Sequence, residues 1–372
     1  MEGGRPVHEI CVIGAGTVGL SQALRILECE AELGGKVRVT IIADKVLGET
    51  TSYGSGGLWE PYQILGTPDS KVNAWGRLAF DHFLQLLHST EAGKAGVQLL
   101  TAYNLQEAHD APVDPSWKDI VFNFRRLGSG ELRQMGLPPR FTHGFTFATL
   151  VVEQRLYMAH LTARLEALGV VFVRQQIDNL DAFLAQKGAE YDAVINCTGL
   201  GAAALLGTPG DVYPIRGQVL RVTAPWFNNV FFWGSSYIIP NVDSVVLGGT
   251  AQRDDWDTTP READTRKILQ DVCELFPAFR EAPLQSVWAG LRPGRTPLRL
   301  ESETRAGTLL VHNYGHGGSG ITLAYGCADD VVKSHIVPHF ARCRDGEAVQ
   351  GSPPAGGPLY SMREWVRYKS RL

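Results

Sequence analysis

Three glycines near the N-terminus are the residues whose types and spacing point most directly to chemistry. Gly14, Gly16 and Gly19 form the pattern G-x-G-x-x-G. The first permits a tight turn, the second lets a pyrophosphate approach the backbone, and the third lets a helix pack closely on a strand. Asp44 follows downstream, where a carboxylate accepts hydrogen bonds from ribose hydroxyls. These residues predict a dinucleotide-binding site.

The elements around these residues come in the order that such a site requires. An apolar run at 8–13 precedes the glycines, a helical pattern follows from Leu20 to about Leu33, and a second apolar run, 37–43, ends at Asp44. A strand–turn–helix–strand unit that ends in an acid is the context in which the glycine pattern is informative. A glycine-rich turn without a ligand is the alternative.

Two later glycine clusters bear on which dinucleotide binds. Residues 198–201 follow an apolar run, and 312–320 precede the last helical pattern. FAD extends beyond one mononucleotide site, so further close approaches of the backbone favour FAD over NAD. N–H groups at the start of the last helix would stabilise negative charge on a reduced isoalloxazine. The plain alternative for the second cluster is a turn followed by a helix cap.

The composition excludes several classes of protein. The chain has 372 residues, 41 of them glycine, with 35 Lys plus Arg and 39 Asp plus Glu, for a formal net charge of -4. This balance offers no basic surface to nucleic acid or to an anionic membrane. No apolar run is long enough to span a membrane. Six cysteines without metal-ligand spacing indicate reduced thiols and no metal site.

The order of elements predicts an α/β protein (α+β overall), with a Rossmann-like FAD-binding domain interleaved with a mainly antiparallel β substrate domain. Helices are predicted at 70–88, 153–168, 261–276 and 320–335, and alternating strands and turns at 212–250 indicate the antiparallel sheet. The predicted FAD-binding domain comprises 1–60, 145–205 and 300–340. The predicted substrate-binding domain comprises 61–144 and 206–299, and 344–372 form a flexible tail.

The last three residues, Ser370-Arg371-Leu372, differ from the peroxisomal S-K-L signal by one substitution that keeps the charge. A Gly/Pro-rich stretch at 351–358 precedes them and would hold the tripeptide away from the fold. We therefore expect a peroxisomal import receptor to bind the tripeptide, and the protein to pass from the cytosol into the peroxisome.

Over nearly its whole length the sequence resembles the D-amino-acid oxidase family, which includes the D-aspartate oxidases. The stretches that carry this resemblance follow one another along the chain: 12–16 (VIGAG), 50–52 (TTS), 57–62 (GLWEPY), 115–119 (PSWKD), 196–199 (NCTG), 216–218 (RGQ), 237–240 (YIIP), 290–293 (GLRP) and 312–318 (HNYGHGG).

The resemblance implies a flavoenzyme that turns a D-amino acid and oxygen into a 2-oxo acid, ammonia and hydrogen peroxide, by hydride transfer to flavin N5. Arg292 and Tyr237 match the positions that clamp the substrate carboxylate, and the Gly318 carbonyl matches the acceptor for the substrate amine. Thr322 matches a contact to the flavin C2=O2 region. A homodimer is also expected.

The residues expected to bind FAD share a place either in the glycine clusters or in the stretches that resemble the family. They are Gly14, Ala15, Gly16, Val18, Gly19, Asp44, Lys45, Thr50, Thr51, Ser52, Gly57, Leu58, Trp59, Ile177, Cys197, Thr198, Gly199, Gly315, Gly317, Gly318, Ser319, Gly320, Ile321 and Thr322.

Glu60, Trp233, Arg216 and Ser319 are the further residues expected in the substrate pocket. Trp233 stands where many animal members of the family carry a second active-site Tyr, and the lid run 228–236 is short. Glu60 replaces a Gln of many D-amino-acid oxidases and a His of many D-aspartate oxidases. Facing the pocket, its charge would repel an acidic side chain and pair with a basic one; facing solvent, it would have no such role.

These residues favour oxidation of neutral D-amino acids, and of basic ones if Glu60 faces the pocket. The alternative within the family is a D-aspartate oxidase, which needs a spare cation for the second carboxylate, with Arg216 and Arg253 as candidates. The alternatives outside the family are a nicotinamide-dependent dehydrogenase and a flavin-binding protein without turnover.

Overall fold

The first strand, β1 (Val7–Ala15), is buried on both of its faces in the computed structural model, which describes residues 7–344. Ile10 and Val12 pack into one hydrophobic core, and Cys11 and Ile13 pack into another on the opposite face. A strand buried on both sides is typical of a parallel sheet that is covered by helices on both faces.

Within the described residues, the other strands that pair in the sheet are β2 (Lys36–Val46), β3 (Val97–Glu107), β4 (Phe122–Gly128), β5 (Phe141–Val152), β6 (Val171–Arg174), β7 (Ala193–Asn196), β8 (Tyr213–Val222), β9 (Val230–Trp233), β10 (Ser236–Pro240), β11 (Val245–Gly248), β12 (Gln252–Arg253), β13 (Leu284–Arg305) and β14 (Thr308–His316). The α-helices are α1 (Thr17–Glu28), α2 (Glu30–Leu33), α3 (Asp69–Leu87), α4 (Ser129–Gln134), α5 (Gln154–Ala167), α6 (Leu180–Lys187), α7 (Ala202–Leu206), α8 (Glu262–Leu275), α9 (Gly320–Asp330) and α10 (Val337–Arg344). A π-helical segment, Val331–Ile336, joins α9 to α10.

One half of the sheet is parallel. β14, β7, β1, β2 and β6 lie side by side in this order, and each runs parallel to its neighbours. Residues of α1, α5 and α9 pack in the core on one face, and residues of α6 and α7 pack in the core on the other. This half is the Rossmann-like part that the sequence predicts.

The other half of the sheet is mainly antiparallel. Its order is β4-β5-β3-β9-β10-β11-β8-β13, and β3 and β9 form its parallel pair. β13 is 22 residues long and pairs with both β8 and β14, so it joins the two halves. The predicted fold class is therefore confirmed, and the division of the chain into two domains stays a prediction.

The predicted helices lie close to the observed α3, α5 and α8, and the last predicted helix continues from α9 into the π-helical segment. Among residues 7–344, no helix has the length and apolar character needed to cross a membrane. The tail beyond Arg344 and its tripeptide, Ser370–Leu372, lie outside the described residues.

Candidate active site

A cavity of about 1310 Å³ runs from the end of β2 past the start of α1 to the antiparallel half of the sheet. The predicted residues that line it are Gly14, Ala15, Gly16, Val18, Asp44, Lys45, Thr50, Thr51, Ser52, Gly57, Leu58, Glu60, Ile177, Cys197, Thr198, Gly199, Tyr237, Arg292, Gly317, Gly318, Gly320 and Ile321. One cavity thus brings together the dinucleotide pattern and the predicted carboxylate clamp.

The turn between β1 and α1 leaves backbone open to the cavity. Gly14 has a φ of +111°, and a Cβ at this position would lie 2.6 Å from the carbonyl oxygen of Cys197. Gly16 has no side chain to cap α1, the Thr17 N–H donates to Ser52 Oγ (3.1 Å), and the Thr17 hydroxyl is buried without a hydrogen-bond partner among the described residues. The other N–H groups at this helix start lie beside bare backbone and fit a pyrophosphate, which would accept hydrogen bonds from them and from the hydroxyl.

The far end of the cavity fits the nucleoside part of a dinucleotide. Asp44 and Lys45 lie near the end of β2, and Ile177 faces the same space. No hydrogen bond of the described residues engages the Asp44 carboxylate, so its oxygens are open to ribose hydroxyls. The residues present along the cavity therefore fit FAD, from the nucleoside at Asp44 to the flavin end near Gly318.

Thr198 is held in place by a buried polar chain. Asn196 Oδ1 accepts hydrogen bonds from the Thr198 backbone N (3.2 Å) and Oγ1 (2.7 Å). The Asn196 amide lies 3.3 Å from His312 Nδ1, and His312 Nε2 lies 3.2 Å from Glu303. Burial lowers the pKa of His312, so the imidazole is neutral at pH 7 and orients Asn196 without adding charge.

Glycines on the sheet leave room for the two side chains predicted to clamp a carboxylate. A Cβ at Gly217 would lie 2.5 Å from Cζ of Arg292, and a Cβ at Gly248 would lie 2.6 Å from the phenol oxygen of Tyr237. Both side chains therefore lie directly over backbone that has no side chain of its own. The glycine backbone lets Arg292 and Tyr237 extend along the sheet into one cavity, although they lie on separate strands, β13 and β10.

Arg292 has an incomplete set of partners. Its Nη1 donates a hydrogen bond to the Thr250 carbonyl oxygen (2.9 Å), and its Cζ lies 5.7 Å from the ring centroid of Tyr62. No carboxylate among the described residues lies within ion-pair distance of it. Burial raises the pKa of Tyr237 although the adjacent Arg292 lowers it, so the phenol stays protonated at neutral pH. The pair can bind an anion by donating from both side chains.

Tyr62 is a residue of this site that the sequence reasoning did not single out. Its ring lies beside Gly318, where a Cβ would come 2.5 Å from Cδ1, and it also lies over Arg292. Tyr62 belongs to the stretch 57–62 that carries the family resemblance, and this membership could have identified it as a site residue. The sequence does not show which way its ring points.

The segment around Glu60 is fixed by two hydroxyls at the start of α9. Thr322 Oγ1 donates to the Glu60 carbonyl oxygen (2.8 Å) and accepts from the Glu60 N–H (3.3 Å). Ser319 Oγ donates to the Tyr62 carbonyl oxygen (2.8 Å) and accepts from the Tyr62 N–H (2.8 Å). Both hydroxyls thus bind backbone of the neighbouring segment, and neither Ser319 nor Thr322 lines the cavity.

Glu60 lines the cavity and is half-buried there. Burial raises the pKa of its carboxyl to about 8, with no contribution from a neighbouring charge. No hydrogen bond of the described residues engages the carboxyl. At neutral pH the group is therefore largely a neutral acid, and it becomes an anion when the pH rises or when a cation binds beside it.

Arg216 lies outside the cavity, on the opposite face of β8 from the side that Arg292 crosses. Its guanidinium is fully buried and donates to Gln252, Asp264 and Gln218 and to the carbonyl oxygens of Asp257 and Thr259. Arg253, the other candidate for a second substrate cation, pairs with Asp254 and lies over the Tyr213 ring, also outside the cavity.

Four other predicted residues also do not line the cavity, because they pack against other parts of the protein. Trp233 is buried in the core beside α8, and it pairs with Ser236 in the tight hairpin between β9 and β10. Trp59 is buried and donates its indole N–H to the Gly76 carbonyl oxygen (3.2 Å). Gly315 packs against Arg295, and Gly19 packs against Gly14, which brings α1 onto β1.

The sequence profile of the DAO family of FAD dependent oxidoreductases matches residues 9–334 of the chain. This match covers most of the sequence, and the chain therefore belongs to that family. The family resemblance noted in the sequence is confirmed, and FAD is the cofactor that the family and the shape of the cavity both indicate.

Among known proteins, the chain is 36% identical over 330 residues to human D-aspartate oxidase, covering 87% of this chain and 93% of that protein. It is 37% identical over 338 residues to a D-amino-acid oxidase of Rubrobacter xylanophilus, covering 88% of this chain and 96% of that protein. A solved structure of glycine oxidase from Bacillus cereus superposes with a TM-score of 0.70 at 18% identity, covering 90% of this chain and 97% of that one, which shows a shared fold.

Proposed function

We propose that this chain is an FAD-dependent D-amino-acid oxidase. The net reaction converts a D-amino acid, oxygen and water into a 2-oxo acid, ammonia and hydrogen peroxide. The amino acid loses two electrons to become an imino acid, water hydrolyses the imine, and oxygen takes up the two electrons as peroxide. The observation that carries the proposal is the Arg292–Tyr237 pair, which faces the cavity without an internal carboxylate.

The residues of the chain act mainly by binding and orienting the substrate. Arg292 and Tyr237 donate to the substrate carboxylate, and the Gly318 carbonyl accepts from the α-amine. Holding the carboxylate and the amine leaves Cα one orientation in the cavity, and such orientation accelerates a reaction without a side-chain base. When bound, FAD supplies the two-electron acceptor for this chemistry.

The charges at the clamp favour neutral and basic substrates over acidic ones. Arg216 and Arg253, the candidates for binding a second carboxylate, lie outside the cavity. Glu60 faces the cavity, where its carboxyl would repel an acidic side chain once ionised. D-aspartate oxidase activity remains the second candidate, because a relative of that name is 36% identical to this chain.

A substrate panel tests the proposal. We expect the purified protein to be yellow and to release peroxide with D-alanine and D-lysine, and to be much slower with D-aspartate and with L-alanine. A clear preference for D-aspartate would favour the second candidate. A yellow protein that reduces its flavin with none of these substrates, or a colourless protein that reduces added NAD, would contradict the proposal.

The proposed location and assembly depend on the sequence alone. We infer that an import receptor binds Ser370-Arg371-Leu372, and a fluorescent fusion with and without this tripeptide tests that inference in cells. Identical distributions of the two fusions would contradict it. The expected homodimer is tested by light scattering of the FAD-loaded protein, where a mass of one chain would contradict it.

A further inference from the structure

Three strands place a row of side chains along the floor of the cavity. Tyr237 on β10 is directly opposite Phe232 on β9, and Phe232 is directly opposite Asn104 on β3. All three residues line the cavity. Neighbouring strands lie about 4.8 Å apart, so roughly 10 Å of sheet separate Tyr237 from Asn104.

Asn104 carries a polar group that the protein leaves without a partner. Its Oδ1 is buried and accepts no hydrogen bond from the described residues. Leaving such an atom unpaired costs about 1–3 kcal/mol, and most buried polar atoms in folded proteins therefore have partners. An unpaired carboxamide on the wall of a binding cavity indicates that the ligand supplies the missing donor.

Glu60 supplies a second acceptor on the same cavity. Its carboxyl has no hydrogen-bond partner among the described residues, whereas its backbone is held firmly by Thr322. The backbone at Glu60 is thus fixed, while the carboxyl is left open. Between Asn104 and Tyr237 lies the apolar ring of Phe232, which suits the methylene groups of an extended side chain.

We propose that Asn104 and Glu60 form a side-chain subsite that binds the cationic end of a long basic D-amino acid. The carboxylate of the substrate lies at Arg292 and Tyr237, its methylene groups cross Phe232, and its terminal ammonium or guanidinium donates to Asn104 and Glu60. The inference rests on the proposed function for the position of the carboxylate, and it adds the class of side chain that the cavity selects.

The test uses a pair of ligands that cannot be oxidised, so that it does not depend on turnover. 6-Aminohexanoate is lysine without its α-amine, and hexanoate lacks the terminal ammonium as well. Binding of each to the FAD-loaded protein is followed through the flavin absorption spectrum. For the natural chain we expect 6-aminohexanoate to bind at least 10-fold more tightly than hexanoate.

Asn104→Leu and Asn104→Asp are the matched variants. Leucine has a similar size but accepts no hydrogen bond, so we expect the preference for 6-aminohexanoate to fall about 10-fold, the effect of losing one charge-assisted hydrogen bond. Aspartate keeps the acceptor and adds charge, so the preference should stay or rise. Turnover of D-lysine should fall in Asn104→Leu and should stay or rise in Asn104→Asp. Turnover of D-alanine should change little in either variant.

Two results would overturn the inference. One is equal or weaker binding of 6-aminohexanoate than of hexanoate to the natural chain. The other is an unchanged preference in Asn104→Leu. If either result is found and the protein still releases peroxide with D-alanine, the subsite is rejected and the proposed function stands. Absence of peroxide release from any D-amino acid, despite selective binding of 6-aminohexanoate, would instead reject the proposed function and keep the subsite.

Discussion

Two arginines on neighbouring strands show how the same side chain serves two purposes in this molecule. Leu291 of β13 pairs with Arg216 of β8, so Arg292 and Arg216 are one register position apart and point to opposite faces of the sheet. Arg216 is fully buried, and its N–H groups meet Asp264, Gln218, Gln252 and two backbone carbonyls. Arg292 has one carbonyl partner, the adjacent Tyr237 phenol and the Tyr62 ring, and no carboxylate among the described residues.

The difference lies in where the counter-charge comes from. Asp264 balances Arg216 within the chain, at 2.7 Å, so this arginine stabilises the connection between the sheet and α8. Arg292 is only partly buried and lacks such a partner among the described residues, so its charge is available to a ligand. Removing each arginine should therefore affect a different measurement, substrate oxidation in one case and unfolding in the other.

Arg292→Ala should have the largest effect. Losing one side of a buried charge-assisted pair costs about 2–5 kcal/mol, so kcat/KM for D-alanine should fall on the order of 10³-fold. Flavin content and thermal stability should stay close to those of the natural chain. Arg292→Lys keeps the charge without the fork and should recover a minor part of the activity. Full activity in Arg292→Ala would show that the carboxylate binds elsewhere.

Arg216→Met should act on stability instead. Breaking a buried ion pair leaves Asp264 without its counter-charge, and the free energy of unfolding should fall by about 3 kcal/mol or more. Urea unfolding of the FAD-loaded protein measures this change. Arg216→Met combined with Asp264→Leu removes both charges and should regain part of the loss. A stable Arg216→Met protein with the activity of Arg292→Ala would reverse the roles assigned to the two arginines.

Gly217→Ala sharpens the comparison by changing only the floor beneath Arg292. The added methyl would occupy the space of the guanidinium and lift it from the sheet. Misplacement of a positioning group by about 1 Å can cost 10²-fold, so KM for D-alanine should rise about 10-fold or more. Gly130→Ala is the control, because its added methyl meets no neighbouring atom and should leave KM unchanged. Gly136→Ala would not serve, because the φ of Gly136 is +76° and any side chain there is strained. An unchanged KM in Gly217→Ala would mean that Arg292 has another position when substrate binds.

The smallest effect is expected for Glu60, and it depends on pH. Titratable groups that line the same cavity as Glu60 include Tyr62, Tyr237, Arg292 and His316, but burial alone raises the Glu60 pKa to about 8. The carboxyl ionises above that pH, while the lysine ammonium stays charged to about pH 10. The ratio of kcat/KM for D-lysine to that for D-alanine should therefore rise severalfold between pH 7 and 9.

Glu60→Gln is the control for that pH profile. Its amide carries no charge, so the ratio should be lower than in the natural chain at pH 9 and should not change with pH. D-Alanine lacks a cationic side chain and serves as the internal reference, since it shares the pH dependence of the α-amine. The same rise in Glu60→Gln would assign the pH dependence to another group.

Much of the fold and cofactor region could be predicted from sequence, because local spacing determines them. The glycine pattern at 14–19, the acid Asp44 near the end of the second strand and the periodicity of the main helices are local signals. The alternation of strands at 212–250 likewise indicated the antiparallel half. These features depend on residues close together in the chain, where periodicity and turn chemistry are informative.

The directions of individual side chains could not be predicted in the same way. Arg216 belongs to a stretch that resembles the family, and Trp233 stands where many family members carry a pocket Tyr, yet both face the core beside α8, because their strand positions point away from the cavity. Thr322 and Ser319 begin α9 as expected, but their hydroxyls bind the backbone at Glu60 and Tyr62. Such contacts join residues more than 250 positions apart in the chain.

The central claim, that Arg292 and Tyr237 hold the carboxylate of a D-amino acid, is tested most directly by comparing D-alanine with D-alaninamide. The two differ at the carboxylate, which the amide replaces with a neutral group. Reduction of the bound flavin is followed by loss of its absorbance without oxygen. We predict rapid bleaching with D-alanine and bleaching at least 10²-fold slower with D-alaninamide. Equal rates with the two compounds would contradict the account.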